Sequence, residues 1–394
     1  MLFKEIKNNV FYAGLNDADR VIFDELIPLE HGTTYNSYIV KGKEKTAVID
    51  TMYPPFSSQY IKNFEENGIY KIDYIVANHG EQDHSGSIPV LLEKFPEAII
   101  LTNTKCKENI KEMLLVPNDK IQTVENNEEI SLGDKTLKFI LAPGVHWPDT
   151  MFTYIKEDKM LFTCDFLGAH LPFEDLYSKN DDKLYSMAKR YYAEIMMPFR
   201  IVCKKYTEQI EEMKPEYILP SHGPVYKEPG FILNAYKDWT SDTPKNLVLI
   251  PYVSMYGSTE EMVKYTACAL KKEGINVYTH DIVRDDLGDL AVQLVDAATI
   301  IIGAPMVLAG PHPMAVNITV LANALKPKTK FVSVLGSYGW GGKLAETITG
   351  LLTAIKPEII DPVIIKGKLK EADYKLLDKT VKTIVEKHKT IGLL

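Results

Sequence analysis

Short apolar runs broken by turns dominate the first part of the chain. Residues 34–40 and 45–50 predict two strands joined by a turn at Gly42, and residues 72–77, rich in β-branched and aromatic side chains, predict a buried strand. Residues 56–67 repeat with helical period and stop at Gly68, the residue type that ends helices in a left-handed conformation. A helix is predicted at 88–95 and further strands at 98–102, 136–142, 151–155 and 160–163. Residues 182–213 are amphipathic with helical period, and Pro198 should kink or split them. Mixed strands and helices up to about Tyr226 imply an α+β fold or αββα sandwich.

From Asn246 the rhythm changes. Strands at 247–253, 276–280, 298–302, 331–335 and 361–365 alternate with helices at 259–273, 287–296, 314–326, 343–355 and 371–387. Such alternation implies a doubly wound parallel sheet. Residues 237–245, containing Ser241, Asp242, Thr243 and Pro244, read as the linker, so two domains are expected, 1–245 and 246–394.

Composition narrows the function classes. The 394 residues are 45% hydrophobic and 25% charged, which excludes a disordered or fibrous chain. Forty-five Lys and Arg against 53 Asp and Glu leave a net charge of −8, which argues against a nucleic-acid binder and against a basic membrane-surface protein. No apolar run nears the roughly 18 residues of a membrane span. The charged start, Met1 to Lys7, is unlike a signal peptide, so a cytoplasmic location is expected. Cys106, Cys164, Cys203 and Cys268 form no C-x-x-C pair, which excludes a zinc ribbon, a rubredoxin-like iron centre and a thioredoxin-like dithiol.

Metal chemistry must therefore use other ligands, and His79, Glu81, Asp83 and His84 offer four within six residues, directly after a predicted strand and beside Gly80. His146, Asp165 and His222 also follow strand-like or turn segments, where a sandwich would bring loops to one edge. A second constellation, Ser254, Met255, Tyr256, Gly257, Ser258 and Thr259, lies between an apolar strand and a helix. There backbone N–H groups, the helix dipole and three hydroxyls favour an anion, and the lack of lysine favours a terminal monophosphate over a triphosphate. Two later segments sit at the same expected edge: Gly303 to Gly310, with Ala304, Pro305, Met306 and Val307, and Gly336 to Gly342, with Ser337, Tyr338, Gly339, Trp340 and Gly341. Their glycines would let backbone approach a flat ring on which Tyr338 and Trp340 could stack.

The first set resembles the metallo-β-lactamase superfamily, whose zinc hydrolases carry a His-x-His-x-Asp-His loop followed by His, Asp and His ligands. This chain departs at Glu81, where a carboxylate makes the site harder and more anionic, which suits iron better than zinc. The second set resembles the phosphate loop of flavodoxins, which bind FMN. Together they resemble the flavodiiron proteins over essentially the whole chain. That resemblance implies a metallo-β-lactamase-like αββα domain with two iron ions and a flavodoxin-like domain with FMN. It also implies that His79, Glu81 and His146 hold one iron, that Asp83, His84 and His222 hold the other, and that Asp165 bridges them.

The implied activity is reduction of dioxygen to water, of nitric oxide to nitrous oxide, or both, by an oxidoreductase fed through an external donor such as rubredoxin. A head-to-tail homodimer, or a dimer of dimers, is implied as well, with the flavin of one subunit serving the partner's irons. His170 and Tyr192 are candidates for proton-donating or supporting roles near the irons, with core packing equally compatible. His31, His280, His312 and His388 have no companions of ligand type and read as structural or exposed. The rivals are a zinc-dependent hydrolase with an appended flavodoxin-like binding domain, opposed by Glu81, and an electron-transfer protein with a vestigial metal site, opposed by the seven retained ligand candidates.

Overall fold

Side-chain alternation along four neighbouring strands builds the first unit. In Tyr38–Lys41, Thr46–Ile49, Tyr74–Val76 and Ile99–Thr102, the residues Val40, Ala47, Ile49, Val76 and Leu101 face one apolar cluster, and Ile39, Val48, Ile75 and Ile100 face another. Two-faced burial of this kind makes a strand near-continuously apolar and requires cover on both sides. The computed structural model, which describes residues 2–394, provides that cover.

These strands belong to a seven-stranded sheet. One face packs on a five-stranded sheet containing Thr136–Leu141, Met151–Ile155, Met160–Cys164 and Tyr217–Pro220. The other is covered by Ser57–Glu66, Ile88–Lys94 and Thr104–Leu114 through Tyr60, Phe64, Leu91, Cys106 and Ile110. Phe152 of the second sheet meets Tyr206 of the helix Arg200–Met213, which completes an αββα sandwich. The helix Ser57–Glu66 ends at Gly68 as expected, with Gly68 at φ +66° and the Ile69 N–H reaching back to the Phe64 carbonyl.

Several expectations are corrected. The run 34–40 is two strands, Thr33–Tyr35 and Tyr38–Lys41, in different sheets. The chain changes sheet at Asn36 and Ser37, whose buried side chains bond the carbonyls of Pro220, Gly223 and Asp50. The segment 182–213 is split as Pro198 requires, into Asp182–Tyr191 and Arg200–Met213, through a π-helical turn, Tyr192–Met196, and a 3-10 turn, Met197–Phe199. The linker is shorter than 237–245, because the helix Gly230–Thr240 runs to Thr240 and a strand starts at Lys245. The chain divides into two compact units, Met1–Thr240 and Ser241–Leu394.

In the second unit, Asn276–Asp281, Lys245–Tyr252, Ala297–Val307, Phe331–Tyr338 and Val363–Lys366 lie side by side and all parallel. The order is 2-1-3-4-5, that of the flavodoxin-type doubly wound sheet, with its switch point between the first and third strands in sequence. Two strands run beyond their predicted ends, to Val307 and Tyr338, so Ala304 lies inside a strand rather than in a loop. Among the described residues, no helix is long and apolar enough to cross a membrane.

Candidate metal centre and cofactor pocket

All seven candidate ligands stand just beyond the carboxyl ends of strands in the first unit. After Tyr74–Val76 the turn is fixed by Asn78, whose backbone and side-chain N–H groups donate to buried Asp50 at 2.9 and 3.0 Å. His79 and Glu81 then project from extended chain, with Glu81 directly before the short helix Gln82–Ser85 that carries Asp83 and His84. The backbone change separates the four into two pairs. His146 follows Thr136–Leu141, Asp165 follows Met160–Cys164 and His222 follows Tyr217–Pro220.

The pairs become two groups. Glu81 Oε2 lies 3.1 Å from His79 Nε2 and 3.2 Å from His146 Nε2. Asp83 Oδ2 lies 3.3 Å from His84 Nε2 and 3.2 Å from His222 Nε2. Asp165 stands between them: Oδ2 is 3.7 and 3.6 Å from His79 and His146, and Oδ1 is 2.8 and 3.4 Å from His84 and His222. The donor atoms of His79, Glu81, His146 and Asp165 fall within metal-binding reach of one another, as do those of Asp83, His84 and His222.

Two of the four outward-facing ring nitrogens are held by hydrogen bonds. His79 Nδ1 pairs with Asp149 at 2.9 Å, and Asp149 is held in turn by the Gly80 N–H and the Asn109 amide. His222 Nδ1 donates to the Thr34 carbonyl at 2.5 Å. Such outward bonds fix the tautomer that leaves Nε2 free to ligate. Burial pulls His146 and His222 down, yet the close carboxylates of Asp165 and of Glu81 or Asp83 outweigh it and lift them to about 9 and about 10. Burial alone would raise Glu81, but its bonds to His146 and His79 bring it down to about 2. Three carboxylates gathered in a buried space call for positive charge. Both oxygens of Asp83 are buried without a hydrogen bond, as is His84 Nδ1. A pair of divalent cations fits this donor set, and its oxygen-rich character fits iron.

His170 packs against His222, with ring centroids 5.1 Å apart, and bonds Thr33 Oγ1 through Nδ1 at 2.8 Å. Burial, then the nearby His222, keeps its pKa well below the usual value. Tyr192 is a correction: its hydroxyl donates to the Trp239 carbonyl and its ring packs on Tyr236 and Trp239. The adjacent Tyr191 is the one that reaches the cluster, donating to Asp165 Oδ1 at 3.1 Å. Neither Asp149 nor Tyr191 is anticipated from the sequence.

In the second unit a cavity of about 490 Å³ opens at the switch point. Ser254, Met255, Tyr256, Ser258, Thr259, Pro305, Met306, Val307, Ser337, Tyr338, Gly339 and Trp340 line it, joined by Leu308, Ala309, Gly367 and Lys368. Gly257, Ala304 and Gly341 are not on the lining. Ala304 is fully buried in its strand, and Gly257 forms the turn at φ +89° that starts the helix Ser258–Lys272. A Cβ at Gly257 would meet nothing within 4 Å, and Ser254 Oγ accepts from the Gly257 and Glu260 N–H groups. Gly303 serves packing instead, since a Cβ there would lie 2.7 Å from Tyr252 Cβ. An open helix N-terminus with hydroxyls beside an apolar slot fits a phosphate carrying a flat ring.

Fold and site together define a metallo-β-lactamase-like sandwich joined to a flavodoxin-like domain. The model of the ODP family beta lactamase matches residues 33–223. A nitric oxide reductase of Moorella thermoacetica is 31% identical over 90% of this chain and 90% of its own, and a flavo-diiron protein of Clostridium acetobutylicum is 31% identical over 90% and 92%. The solved structure of the rubredoxin oxygen:oxidoreductase of Desulfovibrio gigas superposes with a TM-score of 0.94 at 27% identity over 99% of each chain. The chain belongs to the flavodiiron family.

Proposed function

We propose that this protein reduces dioxygen or nitric oxide at two irons held by the His79 to His222 cluster, with FMN in the cavity of the second unit and a rubredoxin-type electron donor. The observation that carries this reading is the division of Asp165, one oxygen toward each histidine pair. His79, Glu81 and His146 would hold one iron, Asp83, His84 and His222 the other, and Asp165 both. When bound, the irons supply one electron each and the flavin two, enough to convert dioxygen and four protons to two waters, or two nitric oxide molecules and two protons to nitrous oxide and water.

The protein's own groups prepare that chemistry. Asp149 and the Thr34 carbonyl keep the protons of His79 and His222 on Nδ1, and Tyr191 holds its hydroxyl proton on Asp165 Oδ1. Phe23, Tyr35 and His170 wall the His222 side with rings and exclude water there. Glu81 and His146 have the most open side chains of the seven, 23% and 15% exposed, so gas and protons enter on their side. In the cavity, Ser254, Ser258 and Thr259 would take the FMN phosphate, and Tyr338 and Trp340 would flank the ring.

Residues 241–394 carry 18 Lys and Arg against 16 Asp and Glu, a net of +2, whereas residues 1–240 carry 27 against 37, a net of −10. Opposite signs favour association of the flavin unit of one copy with the metal unit of another, which supports a head-to-tail homodimer. The test is anaerobic stopped-flow mixing of reduced protein with dioxygen and with nitric oxide. Flavin reoxidation should be fast with at least one gas and lost in Asp165→Ala. Equal reoxidation in protein and variant, or a colourless zinc protein, would favour the hydrolase reading.

A further inference from the structure

The cavity of the second unit has one charged residue on its wall. Lys368 is that residue, and no carboxylate lines the cavity. Lys368 is exposed and makes no ion pair or hydrogen bond among the described residues.

Register places it along the outer part of the slot. Thr259 Oγ1 lies 3.0 Å from Ser337 Oγ, so the hydroxyl loop at the helix N-terminus meets the strand Phe331–Tyr338 at Ser337. One step outward, Tyr338 pairs with Lys366, and the Gly367 N–H donates to the Tyr338 carbonyl at 2.9 Å. Gly367, at φ +76°, turns the chain there, and Lys368, the next residue, lines the same cavity as Tyr338 and Trp340.

We infer that Lys368 sets the reduction potential of the flavin by placing the cavity's single positive charge beside the ring. This rests on the reading of the cavity as an FMN site. Taking up two electrons and one proton leaves the ring with one negative charge that the oxidised ring lacks. A fixed cation nearby favours the charged form over the neutral one, as axial and ring-edge charges do for other cofactors. The electrons come from the external donor and the proton from solvent. An uncharged wall would hold both forms without this bias.

The experiment is a spectroelectrochemical titration of full-length protein loaded with iron and FMN, comparing the natural chain with Lys368→Gln, Lys368→Arg and Lys368→Glu. Lys368→Gln should weaken the reduced flavin relative to the oxidised one by about tenfold, which lowers the two-electron midpoint by about 30 mV. Lys368→Glu should lower it further, Lys368→Arg should restore it, and raising the salt should shrink all differences. Affinities of the flavin-free protein for FMN and riboflavin are measured alongside. Unchanged midpoints overturn the inference, and a loss of FMN affinity with riboflavin affinity kept would then assign Lys368 to the phosphate. Failure of the natural chain to bind FMN at all would instead overturn the cofactor assignment.

Discussion

In the first unit seven titratable side chains meet in a space where none is more than 23% exposed, whereas the cavity of the second unit is lined by sixteen residues of which only Lys368 is charged. The first is a set of mutually dependent charges. Removing one member leaves its partners buried and uncompensated, so outward bonds from Asp149, Thr34 and Tyr191 fix the rest in place. The second relies on backbone N–H groups, hydroxyls and shape, whose contributions are small and separable. Substitutions should therefore act in an all-or-none way in the metal unit and in graded fashion in the flavin unit.

The strongest test of that contrast is Asp165→Ala. Turnover with either gas should fall at least about a hundredfold, with bound iron reduced and FMN content unchanged. Asp149→Ala comes next: freeing His79 Nδ1 should weaken iron binding about 10- to 100-fold, read by chelator competition. On the other side, Gly257→Val forces a β-branched residue into a left-handed turn at about 1–2 kcal/mol, so FMN affinity should drop about tenfold while iron stays. Tyr191→Phe removes one hydrogen bond to Asp165 and should slow turnover by up to about tenfold with iron content unchanged.

The smallest effect lies away from both pockets. Burial holds His388 down to about 4, with its ring nitrogens 2.8 Å from Thr299 Oγ1 and Asn246 Oδ1. The unfolded chain binds this proton more readily, so the contribution of His388 is complete above about pH 6.5 and is lost as pH falls toward 4, by about 2 kcal/mol after solvent screening. Thermal unfolding from pH 7 to pH 4.5 should show a shallower loss of stability in His388→Gln.

The two pockets also differ in how far the sequence reveals them. His79, Glu81, Asp83 and His84 stand in one short string, and the exchange of a histidine for Glu81 already signals iron. Asp149 does not stand out, because its value comes from folding back 70 residues onto His79. Tyr191 and Tyr192 are neighbours on a helix that passes into a π-turn, and only the helical phase decides which hydroxyl reaches Asp165. In the flavin unit the glycine-rich segments are visible, but the lengths of the strands ending at Val307 and Tyr338 are not, so the sequence suggests Ala304 at a surface from which the strand withdraws it. Lys368 is far from those segments in sequence and joins them only through the pairing of Lys366 with Tyr338.

The central claim is that Asp165 joins two metal positions into one centre. Mössbauer spectroscopy of the protein loaded with isotopically enriched iron tests it most directly, in an applied field and beside Asp165→Ala. Two equally populated, magnetically coupled iron sites that become uncoupled or depleted in the variant are the predicted result. A single iron site, or two sites with no coupling in the unaltered protein, would contradict it.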